Sequence, residues 1–211
     1  MGPQGRVVAT DLVPEMLAAA REHARGLNHM EFRVADAENL PFAEGEFDRV
    51  TCRFGVMFFP DAVRALTGVR RVLKPGGRAC FAVFASLEEN PVFAVTMGPF
   101  LRRAKVPPPP PDAPHVFRFA DPAKLERTFA AAGFRDARAT KHAIRWPWPG
   151  PPEEAWEALR ELAAPFKKMI ATLPPEEARQ AEEETLSGLR RVYDGRSTNL
   201  TATVITGTGT A

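Results

Sequence analysis

Cysteine is scarce in this chain, with only Cys52 and Cys80 among 211 residues. The two share no Cys-x-x-Cys or Cys/His spacing, so neither a metal site nor a dithiol redox centre is expected. Both fall in apolar runs and read as reduced core thiols, which suits a cytoplasmic protein. Long apolar runs are missing as well. None approaches the roughly 20 residues that a membrane-spanning helix needs. The opening residues Met1-Gly2-Pro3-Gln4-Gly5 carry no apolar signal region, and Arg6 stands where a myristoylation site wants Ser or Thr. Charge of one sign is not in excess: 28 basic against 26 acidic side chains leave +2. That balance gives no electrostatic reason to expect nucleic acid or an anionic membrane as partner. The arginine pairs Arg70-Arg71, Arg102-Arg103 and Arg190-Arg191 read as solvated helix faces. A phosphate loop of the Gly-x-x-x-x-Gly-Lys-Ser/Thr type is absent too.

What is present is an alternation of short apolar runs and amphipathic helices, on a length that suits one domain, residues 1–211. Arg6-Val7-Val8-Ala9-Thr10, Glu31-Phe32-Arg33-Val34-Ala35, Phe47-Asp48-Arg49-Val50-Thr51-Cys52 and Arg78-Ala79-Cys80-Phe81-Ala82-Val83-Phe84 read as four buried strands. Helices are expected over residues 15–26 and 61–73. The first has Pro14 at its start and Met16, Leu17, Ala20 and Ala24 on its apolar face, and Gly26 stops it; the second stops at Lys74-Pro75-Gly76-Gly77. Strands alternating with helices of this length imply crossover connections and a parallel sheet, whose ligands bind at the carboxyl ends of the strands. Asp11, Asp36 and Arg53 each follow such an end.

Beyond residue 85 the pattern loosens. A helix over residues 91–104 precedes five prolines at 107–111, a stiff surface connector. Asp121-Pro122 opens another helix that stops at Gly133. Residues 134–148 read as a long strand nearer a sheet edge, 152–172 and 175–192 as helices, and 198–206 as a last strand. Residues 5–85 thus make a ligand-binding half. Residues 86–118 and 152–193 make insertions that cap the pocket, and 119–150 and 198–206 supply the remaining strands.

Two acids on neighbouring strand tips suit an adenosine ligand better than a phosphate. Asp11 can accept from both ribose hydroxyls, although an Asp after a strand is also a common helix cap. The Asp36 carboxylate can accept from an adenine amine while the following backbone N–H groups meet the ring nitrogens.

Four motifs in order then make a resemblance specific. They are residues 8–21 (Val8-Ala9-Thr10-Asp11-Leu12-Val13-Pro14-Glu15-Met16-Leu17 onward), Ala35-Asp36-Ala37-Glu38-Asn39-Leu40-Pro41-Phe42, Phe47-Asp48-Arg49-Val50 with Arg53-Phe54-Gly55-Val56-Met57-Phe58-Phe59, and Arg71-Val72-Leu73-Lys74-Pro75-Gly76-Gly77-Arg78. Together they resemble class I S-adenosylmethionine-dependent methyltransferases, closest to the type 11 subgroup of ubiquinone and menaquinone C-methyltransferases. The resemblance implies an α/β, Rossmann-like, doubly wound and mostly parallel sheet with helices on both faces. It implies S-adenosylmethionine as cofactor, with Asp11 on the ribose and Leu12 packing near the adenine. Asp36 and Ala37 would meet the adenine edge, Arg53 and Phe54 would line the floor beneath the methionine end, and Met16 would pack nearby.

The resemblance also exposes a departure. Family members carry a first strand and a glycine-rich loop ahead of the strand that starts here at Arg6, and that strand lies between those ending at Asp11 and Cys52. Three explanations stand: the natural protein is longer; the flanking strands pair directly or another chain supplies the strand; or the fold persists without cofactor as a binding or dimerisation module. Gly2-Pro3-Gln4-Gly5 looks like the connector after the missing helix, which favours a longer parent. A nucleotide-dependent oxidoreductase shares the strand-end acid, but the Asp36-Ala37 loop and the Pro75-Gly76-Gly77 turn count against it.

The expected reaction is methyl transfer to a small acceptor, with no general base assigned. His115 and His142 are the histidines placed to serve as one, and His23 and His29 read as surface residues. Arg53-Phe54-Gly55 replaces the Asn-Pro-Pro-Tyr motif of amine methylation, which argues against a nucleic-acid or protein amide acceptor. Phe93, Phe100, Trp146, Trp148, Trp156 and Phe166 suggest an apolar or aromatic acceptor, or else simply pack the cap. A homodimer is the candidate assembly.

Overall fold

The structure is a computed structural model that describes residues 4–105, 107, 109–110, 112–162 and 164–211, with the backbone alone at 162 and 164–166. The proline connector at 107–111 and the Phe166 side chain therefore lie wholly or partly outside the described residues. The elements run β1 (Val7–Asp11), α1 (Pro14–His23), β2 (Met30–Val34), β3 (Phe47–Arg53), α2 (Ala62–Val72), β4 (Leu73–Phe84), α3 (Pro91–Thr96), α4 (Gly98–Ala104), α5 (Pro122–Ala131), β5 (Arg135–Pro149), α6 (Pro152–Leu162), α7 (Ala164–Ile170), α8 (Pro175–Arg190) and β6 (Ser197–Thr210). Short 3-10 turns occupy Ala37–Asn39 and Val56–Phe58. No helix among the described residues is long and apolar enough to cross a membrane.

β1 and β2 pair in parallel, with Val7 opposite Met30 and Asp11 opposite Val34. They form a two-stranded sheet, and β3-β4-β6-β5 form a second of four strands. The α/β alternation and the crossover between β1 and β2 are as the sequence implies. The expectation of buried strands fails at both ends of the break. β1 is mostly half-buried and β3 alternates half-buried with exposed, because each has one hydrogen-bonded neighbour instead of two. Direct pairing of β1 with β3 is not seen among the described residues.

Contacts divide the chain into two compact units. The first comprises Met1–Phe81, Leu125–Arg138 and Gly207–Ala211; the second comprises Ala82–Lys124 and Ala139–Thr206. The core of the first unit is built by α2, whose Ala62, Ala65, Leu66, Val69 and Val72 recur at helical spacing and are all buried. Asp61 caps this helix by accepting the Arg64 N–H at 2.9 Å. Phe129 of α5 is fully buried and meets Phe81 edge-on at 5.5 Å and Phe134 at 5.2 Å. α1 is poorly covered by comparison. Only Leu17 of its apolar face is buried and Met16 is 59% exposed, since a two-stranded sheet is too narrow to cover that face.

In the second unit Val92, Phe100, Trp156, Ala181, Leu189, Leu200 and Ala202 form the core. The helix expected over 91–104 is two helices. Pro99 lies in the first turn of α4, where its missing N–H and ring bulk stop α3 from continuing through. The helix expected over 152–172 is likewise split into α6 and α7. β4 starts at Leu73, five residues earlier than the Lys-Pro-Gly-Gly stop suggests. The C-terminal residue explains this: the Gly76 N–H donates to the Ala211 carbonyl at 3.2 Å and the Ala211 N–H to the Gly77 carbonyl at 2.9 Å, so pairing continues through the turn.

Truncating Phe129→Ala removes a buried ring from this packing and is expected to cost about 3–5 kcal/mol of stability. Met16→Ala should stay within about 0.5 kcal/mol, as surface changes do. Urea unfolding of the two variants checks the contrast, and similar losses would contradict the assigned core.

Candidate functional site

The first unit gathers the strand-end acids. The Ala35 N–H donates to the Asp11 carbonyl at 3.1 Å, extending the β1–β2 ladder by one bond and setting Asp11 beside the start of the Asp36 loop. The Asp11 side chain is no helix cap. Its Oδ1 accepts the Val13 N–H at 2.9 Å, and α1 begins after Val13, which offers no side-chain cap. The half-buried carboxylate is thus held by its own loop through one oxygen.

Asp36 is exposed and caps the 3-10 turn that follows it. Oδ1 accepts the Glu38 N–H at 2.9 Å and Oδ2 accepts from Asn39 Nδ2 at 3.2 Å. Ala37 is the first residue of that turn and half-buried. The loop is held from below by α2. The Arg71 guanidinium donates to the carbonyls of Phe42 at 2.8 Å and Leu40 at 2.9 Å, and its own carbonyl accepts the Gly45 N–H at 3.0 Å. Arg70-Arg71 stay exposed, as expected of the pair, but the Arg71 guanidinium also holds the loop. A guanidinium satisfies two backbone acceptors at once, and the sequence shows only its position on a helix. Glu38 accepts the Asp61 N–H at 2.9 Å, which ties the turn to the start of α2.

At the end of β3, Arg53 is exposed and Phe54 takes a left-handed backbone at φ 60°. A bulky residue rarely adopts that conformation, and such strain gathers at functional sites. The turn is wound around the Cys52 sulfur, which accepts from the N–H groups of Gly55 and Val56. A Cβ on Gly55 would lie 2.8 Å from that sulfur, so a larger residue there would have to push the thiol aside. Burial pushes the Cys52 thiol pKa up, the two N–H groups oppose this, and the nearby Asp11 charge adds to the rise. Neither the sulfur-centred turn nor the Phe54 strain is foreseen by the sequence reading; Cys52 directly before Arg53-Phe54-Gly55 is the available signal.

Of the expected site residues, then, Asp11, Asp36 and Ala37 come together on adjacent strand tips, and the Asp11 charge is felt at Cys52, next to Arg53 and Phe54. Leu12 and Met16 are not drawn into packing and stand 66% and 59% exposed. Among the described residues no group of three or more His, Cys, Asp or Glu could hold a metal ion.

His115, His142 and the cap aromatics belong to the second unit. His115 Nδ1 accepts the Phe117 N–H at 3.2 Å, and burial followed by the Lys124 and Arg118 charges lowers its pKa. His142 Nε2 lies 2.8 Å from Thr206 Oγ1. Phe100 stacks on Trp156 in the core, Phe93 meets Phe84 and Phe117 edge-on, and Trp146 stacks on Phe84. Packing thus accounts for Phe93, Phe100, Trp146 and Trp156. A cleft of about 220 Å³ lined by Phe100, Trp156, Arg160, Ile170, Arg179 and Glu182, among others, contains none of the strand-tip residues.

An α/β scaffold with acids at the tips of parallel strands is a Rossmann-like fold. The family model "Methyltransferase domain" matches residues 1–81. The demethylmenaquinone methyltransferase of Deinococcus radiodurans is 34% identical over 161 residues, 70% of this chain and 66% of that protein. That of Thermus thermophilus is 50% identical over 78 residues, 36% of this chain and 35% of that protein. The ubiquinone/menaquinone biosynthesis C-methyltransferase of Klebsiella pneumoniae is 40% identical over 88 residues, 40% of this chain and 35% of that protein. The chain thus spans between about a third and two thirds of these relatives. Among solved structures, the YcgJ protein of Bacillus subtilis superposes with a TM-score of 0.55 at 20% identity, covering 97% of this chain and 82% of that one. Haemonchus contortus phosphoethanolamine N-methyltransferase 2, in complex with phosphomonomethylethanolamine and S-adenosylhomocysteine, superposes with a TM-score of 0.54 at 16% identity, covering 98% and 44%. At these identities the structural likeness concerns the fold alone. The chain belongs to the class I S-adenosylmethionine-dependent methyltransferase family.

A raised thiol pKa has a sign that can be checked. Protonated Cys52 favours the folded chain fully below the ordinary thiol value of about 8.5. That contribution is lost as pH rises through the higher folded value, because the unfolded chain ionises first. Urea unfolding between pH 7.5 and about 10 should show the wild type losing more stability than Cys52→Ser. Parallel losses would contradict a buried thiol.

Proposed function

We propose that the chain binds S-adenosylmethionine at the β1 and β2 tips and directs its methyl group to a small, apolar or aromatic acceptor, of the quinone-precursor class suggested by its relatives' names. The observation that carries this reading is the Ala35 N–H to Asp11 carbonyl bond, which sets two carboxylate-bearing loops side by side on neighbouring strand ends. The residues present suit an adenosine. Asp11 accepts ribose hydroxyls, the Asp36 carboxylate accepts from the adenine amine, and Leu12 offers an exposed apolar surface for the ring. Arg53 and Phe54 line the neighbouring tip.

When bound, the cofactor supplies an electrophilic methyl on a sulfonium and a neutral leaving sulfide. The chain's own part is orientation and desolvation of the acceptor, effects that supply much of the rate in a displacement of this kind. Nothing in the relatives' names supports the non-catalytic alternative.

Calorimetric titration with S-adenosylhomocysteine tests the reading. The wild type is expected to bind in about the micromolar range. Asp11→Ala should weaken binding roughly tenfold or more, the scale of losing a hydrogen bond to a charged group. No heat from a folded, monodisperse wild type would overturn the cofactor assignment for this chain. Binding that survives Asp11→Ala would overturn the residue assignment. Turnover of a demethylated naphthoquinone, and none of a simple primary amine, would support the acceptor class.

A further inference from the structure

We propose that Arg64 and Asn39 are positioning residues that set the orientation of the Asp36 carboxylate and thereby the preference for an adenine amine. This inference rests on the adenosine reading above. The geometry is a three-member relay. Arg64 Nη2 donates to Asn39 Oδ1 at 2.6 Å, and Asn39 Nδ2 donates to Asp36 Oδ2 at 3.2 Å. Chemistry fixes the direction of the relay without reference to hydrogen positions. A guanidinium only donates and a carboxylate only accepts, so the amide between them must turn its oxygen to Arg64 and its nitrogen to Asp36. Each end alone selects that orientation, and the two ends agree on it.

The relay leaves the carboxylate oriented without closing it off. Oδ1 is held by the Glu38 N–H at 2.9 Å and Oδ2 by Asn39, which fixes the carboxylate plane. Each oxygen keeps a further acceptor position, and Asp36 is exposed. Arg64 is rooted in the first turn of α2, where its backbone N–H donates to Asp61 Oδ1 at 2.9 Å. Asp61 in turn gives its own N–H to Glu38 Oε1 at 2.9 Å. The helix start and the loop therefore hold each other through backbone and side chain. Replacing the exposed Arg64 side chain leaves the helix cap, which uses its backbone, in place.

A fixed carboxylate at an adenine edge discriminates. It accepts from the exocyclic amine and repels the carbonyl that replaces that amine in hypoxanthine. Calorimetric titration of the wild type, Asn39→Ala, Arg64→Ala and Arg64→Lys with S-adenosylhomocysteine and S-inosylhomocysteine reads this discrimination, with thermal unfolding of each variant alongside. The wild type should prefer the adenosyl ligand. Asn39→Ala and Arg64→Ala should lose roughly threefold to tenfold of that preference, the scale of one ordinary hydrogen bond because the loss is indirect, with unchanged unfolding temperature. Arg64→Lys should keep more of the preference than Arg64→Ala. A wild-type ratio in both alanine variants would overturn the proposal and leave the cofactor reading standing. So would equal weakening of both ligands with a lowered unfolding temperature, because that is the mark of structural support only. A wild type that binds neither ligand would overturn the cofactor reading and this assignment with it.

Discussion

The candidate site depends on one backbone bond, from the Ala35 N–H to the Asp11 carbonyl. Parallel strands exchange bonds at a steady spacing, so the last bond of a ladder decides where two chains part and their loops begin. Here that point sets an acid within a residue of the parting on each strand. Asp11 turns into its own loop through the Val13 N–H, and Asp36 turns into its own through the Glu38 N–H. Both loops begin with the same device, a carboxylate that accepts from the backbone two residues on. The repetition presents the two side chains in like fashion at neighbouring positions.

Beyond the parting the two loops differ in their support. The Asp11 loop runs directly into α1, which buries only Leu17. The Asp36 loop runs across α2, which buries Ala62, Ala65, Leu66, Val69 and Val72, and takes bonds from Arg64, Arg71 and the Asp61 N–H. The Asp36 loop is therefore the better anchored of the two. Hydrogen bonds from a guanidinium to backbone carbonyls are worth more than neutral ones. They act on a segment that has little sheet structure of its own to hold it.

The βα alternation, the strand tips and the acids on them are legible in the sequence, because each is a local pattern of a few residues. Asp11 and Asp36 stand at the strand ends, where the strand pattern puts them. The rest depends on partners distant in the chain. Arg71 reaches residues about 30 positions earlier, and nothing near it in sequence distinguishes it from Arg70. The early start of β4 is set by Ala211, and the Phe54 strain by how the chain folds back on Cys52. Burial departs from expectation for a related reason. Apolar runs such as Val7-Val8-Ala9 report a preference for being covered, whereas coverage itself depends on how many strands and helices arrive.

That dependence on neighbours explains why the loop bonds carry so much. A parallel strand within a wide sheet is held on both edges and both faces, and its tip inherits that rigidity. β1 and β3 each have a neighbour on one edge, and among the described residues Leu12, Val13, Met16 and Val34 remain exposed around the first of them. Rigidity at the tips must then come from the turns themselves: the sulfur-centred turn after β3, the aspartate turn after β1, and the clamp from α2 onto the loop after β2. Of these, the clamp draws on a helix with five buried apolar residues. For this reason the orientation of the Asp36 carboxylate is set more firmly than that of Asp11.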